Sequence, residues 1–112
     1  MGVSDPFRVW GTTNVQQPMP AQLTFSRLWP NPARGQVLLR FGLPRATDVR
    51  LEIFDVQGRR VRTLAAGRQE AGWHDLGWNG RGETGVQLSA GLYFVRLRAE
   101  GREFRQRLVW LE

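Results

Sequence analysis

The chain contains no cysteine and no lysine, and it has a single histidine. Without cysteine it can form no disulfide, no thiolate nucleophile and no Cys-based metal site, so packing alone must stabilise the fold. The one histidine, His74, and the three serines, Ser4, Ser26 and Ser89, lie in no nucleophile motif. Because catalysis needs a convergent set of titratable groups, we predict no enzyme activity and no catalytic residue.

Ligand-binding signatures are equally scarce. The loop 79–85 carries one acid, Glu83, whereas hard cations prefer several carboxylate oxygens. The spacing of Gly80, Gly82 and Gly85 imitates a phosphate loop, but no helical pattern follows it. A single histidine is also a poor basis for binding haem or chlorophyll. We therefore predict neither a metal site nor a cofactor.

Long apolar runs are missing too. No stretch approaches the roughly 20 apolar residues that a membrane-spanning helix needs. The start of the chain, Met1 to Pro6, has neither a basic nor an apolar leader region, so no signal peptide is expected from it.

What the chain does contain is arginine and aromatic residues. All 16 basic residues are arginines, against 10 acids, which gives a formal charge of +6. Guanidinium groups favour bidentate pairing with carboxylates, phosphates or lipid headgroups. With 112 residues, 41% of them hydrophobic, five Trp and six Phe, the composition indicates one globular domain with an aromatic core.

From residue 23 onward apolar and polar residues alternate, and turn residues recur every eight to twelve positions, which is typical of β-hairpins. We expect the two prolines after Trp29 to end the first strand, and the Gly67 region to close the fourth. The predicted strands are Leu23–Trp29, Val37–Gly42, Val49–Ile53, Arg60–Leu64, Trp73–Trp78, Tyr93–Ala99 and Phe104–Trp110. The pattern predicts an all-β, seven-stranded, immunoglobulin-like (Greek-key) β-sandwich over residues 23–112, with a small closed barrel as the alternative. Its predicted core comprises Leu51, Ile53, Trp78, Tyr93, Val95 and Leu97.

Three polar residues on these strands and turns are predicted to be structural. His74 follows Trp73 and is placed on the outer face of its strand. Asp55 opens a turn and Asp75 lies within a strand, so we expect each to cap a turn or to pair with an arginine.

Residues 1–22 differ from the rest of the chain. They contain three prolines, and their apolar residues follow neither a helical nor a strand period, which predicts an extended N-terminal arm. Phe7 and Trp10 lie within this arm and are predicted to anchor it to a partner, since interfaces concentrate their energy in a few buried aromatics. The alternative is that both fold back on the same domain.

The last two predicted strands carry an arginine cluster. If Val95 and Leu97 point inward, their neighbours point outward, and the same alternation applies to the strand that follows. Four guanidinium groups are then expected on one face: Arg96, Arg98, Arg105 and Arg107. This face is either a solvated surface paired with Glu100, Glu103 and nearby acids, or a contact site for an acidic protein or an anionic membrane surface. Nucleic acid is not expected, because no exposed aromatic stripe accompanies the arginines.

A resemblance to a known family rests on five motifs in order. They are Asn31-Pro32, Val49–Val61, Gly72-Trp73-His74, Trp78–Arg81 and Gly91–Leu97. Over residues ~25 to 112 the chain resembles the immunoglobulin-like domain of flagellar hook-capping proteins and the similar C-terminal sorting domains of type IX-secreted proteins. The resemblance implies an extracytoplasmic location, peripheral to a membrane, and other protein subunits as partners. Family members usually have Asp where this chain has Asn79, so the resemblance brings no metal site.

Two functions remain open. In the first, the chain is a structural subunit that docks onto a larger, membrane-associated assembly; a chain that begins at Met1 and ends at its last strand favours this reading. Small extrinsic β-sandwich subunits that resemble it clamp some bacterial photosynthetic reaction-centre and antenna complexes, which makes such a complex one candidate. In the second, favoured by the resemblance, it is a sorting or spacer module recognised by export machinery.

Overall fold

The computed structural model describes residues 18–112, and within that range it contains eight β-strands and no helix. The all-β, immunoglobulin-like class predicted from the sequence is confirmed. The strands are β1 (Thr24–Phe25), β2 (Trp29–Arg34), β3 (Gln36–Leu43), β4 (Thr47–Phe54), β5 (Arg60–Gln69), β6 (Gly72–Trp78), β7 (Gly91–Ala99) and β8 (Arg102–Leu111).

The strands form two layers that share β2. One layer consists of β6, β3 and β1, and the other follows the order β8, β7, β4, β5. Strand β2 pairs with β3 in the first layer and then runs parallel to the end of β8 in the second. The layers face one another through Trp78 of β6, whose ring lies 5.7 Å from that of Tyr93 on β7 and 5.0 Å from that of Trp110 on β8.

The core follows the predicted alternation. All six residues predicted for it are buried, and Leu51, Ile53, Val95 and Leu97 are fully enclosed. The indole N–H of Trp78 donates to the carbonyl of Arg81 at 2.9 Å, so its polar atom is satisfied within the core. The Tyr93 hydroxyl donates to the carbonyl of Ser89, four residues upstream, at 2.6 Å, as in a tyrosine corner.

The predicted first strand is wrong in its extent. Pairing continues past the prolines, so the segment splits into β1 and β2, and the described strands number eight instead of seven. Proline has no N–H to donate, and two side-chain amides substitute for the missing backbone pairs. Asn31 donates to the carbonyl of Arg107 at 2.7 Å and accepts from the N–H of Val109 at 3.0 Å. Conversely, the side-chain amide of Gln106 on β8 bonds the backbone just before β2. It donates to the carbonyl of Ser26 at 2.7 Å and accepts from the N–H of Leu28 at 3.1 Å.

Two further predictions need correction. Strand β5 continues to Gln69, because Gly67 pairs with Val49 instead of ending the ladder. His74 lies on the inner face of β6, since it is the cross-strand neighbour of buried Phe41 and stacks on that ring at 4.9 Å. Side chains two residues apart share a face, so the inward position of Trp78 already required an inward His74.

Truncating Trp78 tests the two-layer contact. Trp78→Ala should lower the free energy of unfolding by about 3–5 kcal/mol, because it leaves a cavity between the layers. The matched control is Trp29→Ala, since Trp29 is 67% exposed and its loss should change stability by less than about 1 kcal/mol. Urea unfolding followed by circular dichroism measures both, and equal losses would contradict the described packing.

Replacing Gln106 tests the amide substitution. Gln106→Leu leaves the Ser26 carbonyl and the Leu28 N–H without their partner, and we expect a loss of about 1–3 kcal/mol. Gln57→Leu, at an exposed turn, is the control and should be nearly neutral. Amide hydrogen exchange at Leu28 should accelerate in the first variant alone; unchanged protection there would overturn the role assigned to Gln106.

Candidate partner-binding face

The four arginines predicted to cluster do lie on one face. Val95 and Leu97 are fully buried, so their neighbours on β7 point outward, and Leu108 sets the same parity on β8. We call the outer surface of the second layer the arginine face. It includes Asp48, Arg50, Glu52 and Phe54 of β4, Arg60 and Arg68 of β5, Phe94, Arg96 and Arg98 of β7, and Glu103, Arg105 and Arg107 of β8.

Strand register places like charges opposite one another on this face. Arg50 is the cross-strand partner of Arg98, and Arg96 is the cross-strand partner of Arg105. Directly opposed like charges destabilise a sheet, since their Cβ atoms lie only about 5 Å apart. The arginine face holds seven arginines and three acids, Asp48, Glu52 and Glu103, which leaves four positive charges in excess.

Glu52 is the charged residue on which the arginine face is organised. Its side chain is 2% exposed, and it accepts hydrogen bonds from Arg96 at 2.9 Å, Arg50 at 3.1 Å and Arg60 at 3.3 Å. Burial by itself raises the pKa of Glu52, but the hydrogen bonds from Arg96, Arg50 and Arg60 together outweigh it, and the net pKa lies below its usual value. Glu52 is therefore ionised at neutral pH and balances one of three neighbouring guanidinium charges.

Sequence reasoning missed this role of Glu52. Its alternation with Leu51 and Ile53 predicts an outward position, which is correct, but not its burial. Arg96 lies 44 residues away in the chain, and only strand pairing brings it beside Glu52. Of the two acids expected to neutralise the cluster, Glu103 contacts Arg105 at 2.7 Å, whereas Glu100 pairs with Arg45 outside the arginine face.

Arg96 and Arg105 border a depression of about 260 Å³ on the arginine face. Its lining consists of Phe54, Asp55, Val56, Gly58, Phe94, Arg96 and Arg105. The guanidinium of Arg96 stacks over the Phe54 ring at 4.6 Å, and its Nε is buried with no hydrogen-bond partner among the described residues. A buried N–H donor without an acceptor is uncommon in a folded protein.

The other polar residues singled out from the sequence have structural contacts. Asp55 accepts from the N–H groups of Gln57 and Arg59 and from the Arg59 side chain, and the backbone bond from Arg59 is the main cause of its lowered pKa. Gly58 closes the same turn with φ of +82°. Asp75 accepts two bonds from Arg40, at 2.6 and 3.0 Å, which lower its pKa. His74 Nε2 lies 2.8 Å from the carbonyl of Glu70.

Phe7 and Trp10, the predicted anchors of the arm, lie outside the described residues. The described end of the arm contacts the outer face of the first layer, where Trp73 donates to the carbonyl of Pro18 at 2.9 Å. Gly42 permits this approach, because a Cβ there would come within 2.7 Å of the Trp73 ring and 2.9 Å of Pro20. Pro18 and Pro20 therefore lie on the layer opposite the arginine face.

The described residues offer neither a cluster of metal ligands nor a membrane-spanning helix. Between residues 18 and 112, no group of three or more His, Asp or Glu side chains is placed to hold a metal ion. No helix in that part of the chain is long and apolar enough to cross a bilayer.

A family model for the FlgD Ig-like domain matches residues 31–103, about two thirds of the chain. The chain belongs to this family. The resemblance inferred from the five sequence motifs is thereby confirmed. The FlgD Ig-like domain is a non-enzymatic structural domain. Among curated proteins, none matches the chain in sequence.

Solved structures with a similar fold include secretion and flagellar proteins. Dimeric latent PorU from Porphyromonas gingivalis has a TM-score of 0.65 at 22% identity, over 78% of this chain. PorZ, a surface component of the type IX secretion system of the same organism, has a TM-score of 0.55 at 22% identity over 77%. FlgD from Pseudomonas aeruginosa has a TM-score of 0.51 at 22% identity over 66%. The matched region spans 9% of the PorU chain, 11% of PorZ and 60% of FlgD, so the likeness concerns the fold of one domain.

Replacing Glu52 tests the charge balance of the arginine face. Glu52→Gln should lower the free energy of unfolding at pH 7 by about 1–3 kcal/mol. The loss is no larger because Arg50 and Arg60 are half-exposed, and solvent weakens their ion pairs with Glu52. The folded-state pKa of Glu52 is depressed, so its contribution is present above its unfolded pKa of about 4.3 and is lost as the pH falls through the lower folded value.

The measurement is the unfolding free energy between pH 7 and pH 2. The native chain should lose stability below about pH 4.5, and Glu52→Gln should lose less over the same interval. Asp48→Asn, at an exposed carboxylate, is the control. Parallel pH profiles for the native chain and Glu52→Gln would show that Glu52 is not the acid that balances this cluster.

Proposed function

We propose that the chain is a non-enzymatic docking module that holds its place in a larger extracytoplasmic protein assembly through its N-terminal arm and the arginine face. The observation that carries this proposal is the excess of four positive charges on one sheet face, where two like-charged pairs stand directly opposed. An isolated domain gains nothing from such pairs, whereas a charge-complementary partner would neutralise them.

Membership of a structural family supports a binding role over a catalytic one. The FlgD Ig-like domain is a structural domain, and PorZ is a surface component of a secretion system, so related domains occur in proteins that work in multi-protein assemblies. These relatives also favour an extracytoplasmic location for this chain. A photosynthetic reaction-centre complex has no support among the described residues and is not part of the proposal.

A sorting module recognised by export machinery is the second candidate. The similarity of the fold to domains of PorU and PorZ favours it, since PorZ belongs to the type IX secretion system. The two candidates differ in what the module does when attached to another protein. A reporter fused ahead of residues 23–112 should be exported by cells with a type IX system if the module is a sorting signal, and should stay inside them if it is only a docking subunit.

Removing the arm tests the docking proposal. A chain lacking residues 1–17 loses Phe7 and Trp10 but keeps the hydrogen bond of Trp73 to Pro18 and the position of Pro20 beside Gly42. We expect it to unfold at the same urea concentration as the full chain, yet to fail to co-purify with the native assembly in mild detergent.

Full-length Phe7→Ala/Trp10→Ala is the matched variant, because it removes the two aromatics without shortening the chain. It should weaken co-purification to the same extent as the deletion. If both variants associate as strongly as the native chain, the arm has no docking role and the arginine face alone would have to hold the partner.

A further inference from the structure

We infer that the arginine face binds an acidic segment of a partner protein, and that a carboxylate of that segment is held between Arg96 and Arg105. This inference rests on the proposed function, in which the chain docks onto other proteins, and it names the chemistry of the contact.

The first support is the charge distribution. Glu52 neutralises one guanidinium of its cluster, and Glu103 contacts Arg105. Arg98 lies opposite Glu103 in the register, but neither Arg98 nor Arg107 forms an ion pair with a carboxylate of the described residues.

The second support is the geometry of the depression. Arg96 is held in one orientation by its bond to Glu52 and by stacking on Phe54, so its guanidinium is pre-ordered for a ligand. Its cross-strand partner is Arg105, and both side chains line the same depression. A carboxylate there would be flanked by the two guanidinium groups and could form charge-assisted hydrogen bonds with their accessible N–H groups.

The depression also suits the rest of an acidic side chain. Phe54 and Phe94 are cross-strand neighbours and form its apolar wall. Its volume of about 260 Å³ accommodates the methylene stem and carboxylate of a Glu or Asp residue. Inorganic phosphate shares the charge but would leave the apolar wall uncovered, so the site fits a carboxylate on a short apolar stem better.

The surroundings favour a protein over a lipid surface or a nucleic acid. Beyond Phe94 and Arg107, the same sheet face continues into Leu92 and Val109, which are paired across the strands and 36% and 39% exposed. A basic region that borders an apolar one is typical of protein interfaces. Phe54 and Phe94 are half-buried in the sheet, so they do not protrude for insertion into a bilayer. Leu92 and Val109 offer no stacking surface to a nucleobase.

The test is a titration of the full chain with an octaglutamate peptide, followed by NMR of the arginine Nε–Hε groups and by calorimetry. We expect the Arg96 and Arg105 signals to shift together, with the Arg27 signal unchanged. Arg105→Gln should weaken binding about tenfold, since one charge-assisted contact is lost. Arg27→Gln removes the same net charge at an exposed site off the arginine face, and it should weaken binding less than twofold.

Three outcomes would overturn the inference. One is equal weakening in Arg105→Gln and Arg27→Gln, which would mean attraction by net charge alone. Another is binding to phosphatidylglycerol vesicles or to a single-stranded oligonucleotide with no peptide binding. The third is full displacement of the peptide by equimolar inorganic phosphate. None of these outcomes contradicts the docking proposal as long as the full chain co-purifies with its assembly. The docking proposal is tested separately, by the co-purification of the arm variants.

Discussion

The contact between Trp78 and the strands of the opposite layer is the constraint on which the rest of the structure depends. Trp78 meets Tyr93 and Trp110 across the sandwich, and this contact fixes which residues of β7 and β8 point inward. In a strand the side-chain period is two, so a shift of one residue would exchange the inner and outer sets completely. Because Val95 and Leu97 are buried in the core, Arg96 and Arg98 must point outward, and this alternation creates the arginine face.

Burial of the inner face of β7 and β8 therefore forces like charges together on the outer face. With the inner parity set by Val95 and Leu97, Arg96 has no alternative but to stand opposite Arg105. Glu52, on the neighbouring strand β4, offsets part of this repulsion, because its buried carboxylate accepts hydrogen bonds from three guanidinium groups. What Glu52 does not offset is available to a ligand, and this links the packing of the core to the proposed binding of an acidic partner.

The family supplies the scaffold, and the side chains on its surface distinguish this member. A sandwich of the FlgD Ig-like type occurs within proteins as different as PorU, PorZ and FlgD, so the fold by itself selects no partner. In this chain the layer that contacts the arm and the layer that carries the arginines are opposite one another.

Alternation and turn chemistry made much of the fold predictable from the sequence. Leu51, Trp78, Tyr93 and Leu97 follow a period of two between turn residues, and they are buried as that period requires. The turn at Asp55 and Gly58 was predictable for the same local reason, and so was the outward parity of the four arginines. The position of His74 was predictable as well, and the error there came from applying the alternation to Trp73 instead of Trp78.

Tertiary structure alone decided the features that join distant parts of the chain. The continuation of β2 past its prolines depends on amides of Asn31 and Gln106 that meet backbone groups about 80 residues away. The burial of Glu52 depends on Arg96, which reaches it only through strand pairing. A periodic pattern records which face a residue takes, because that is a local property of the strand. It does not record which side chain stands opposite, because register is set by the packing of the whole sandwich.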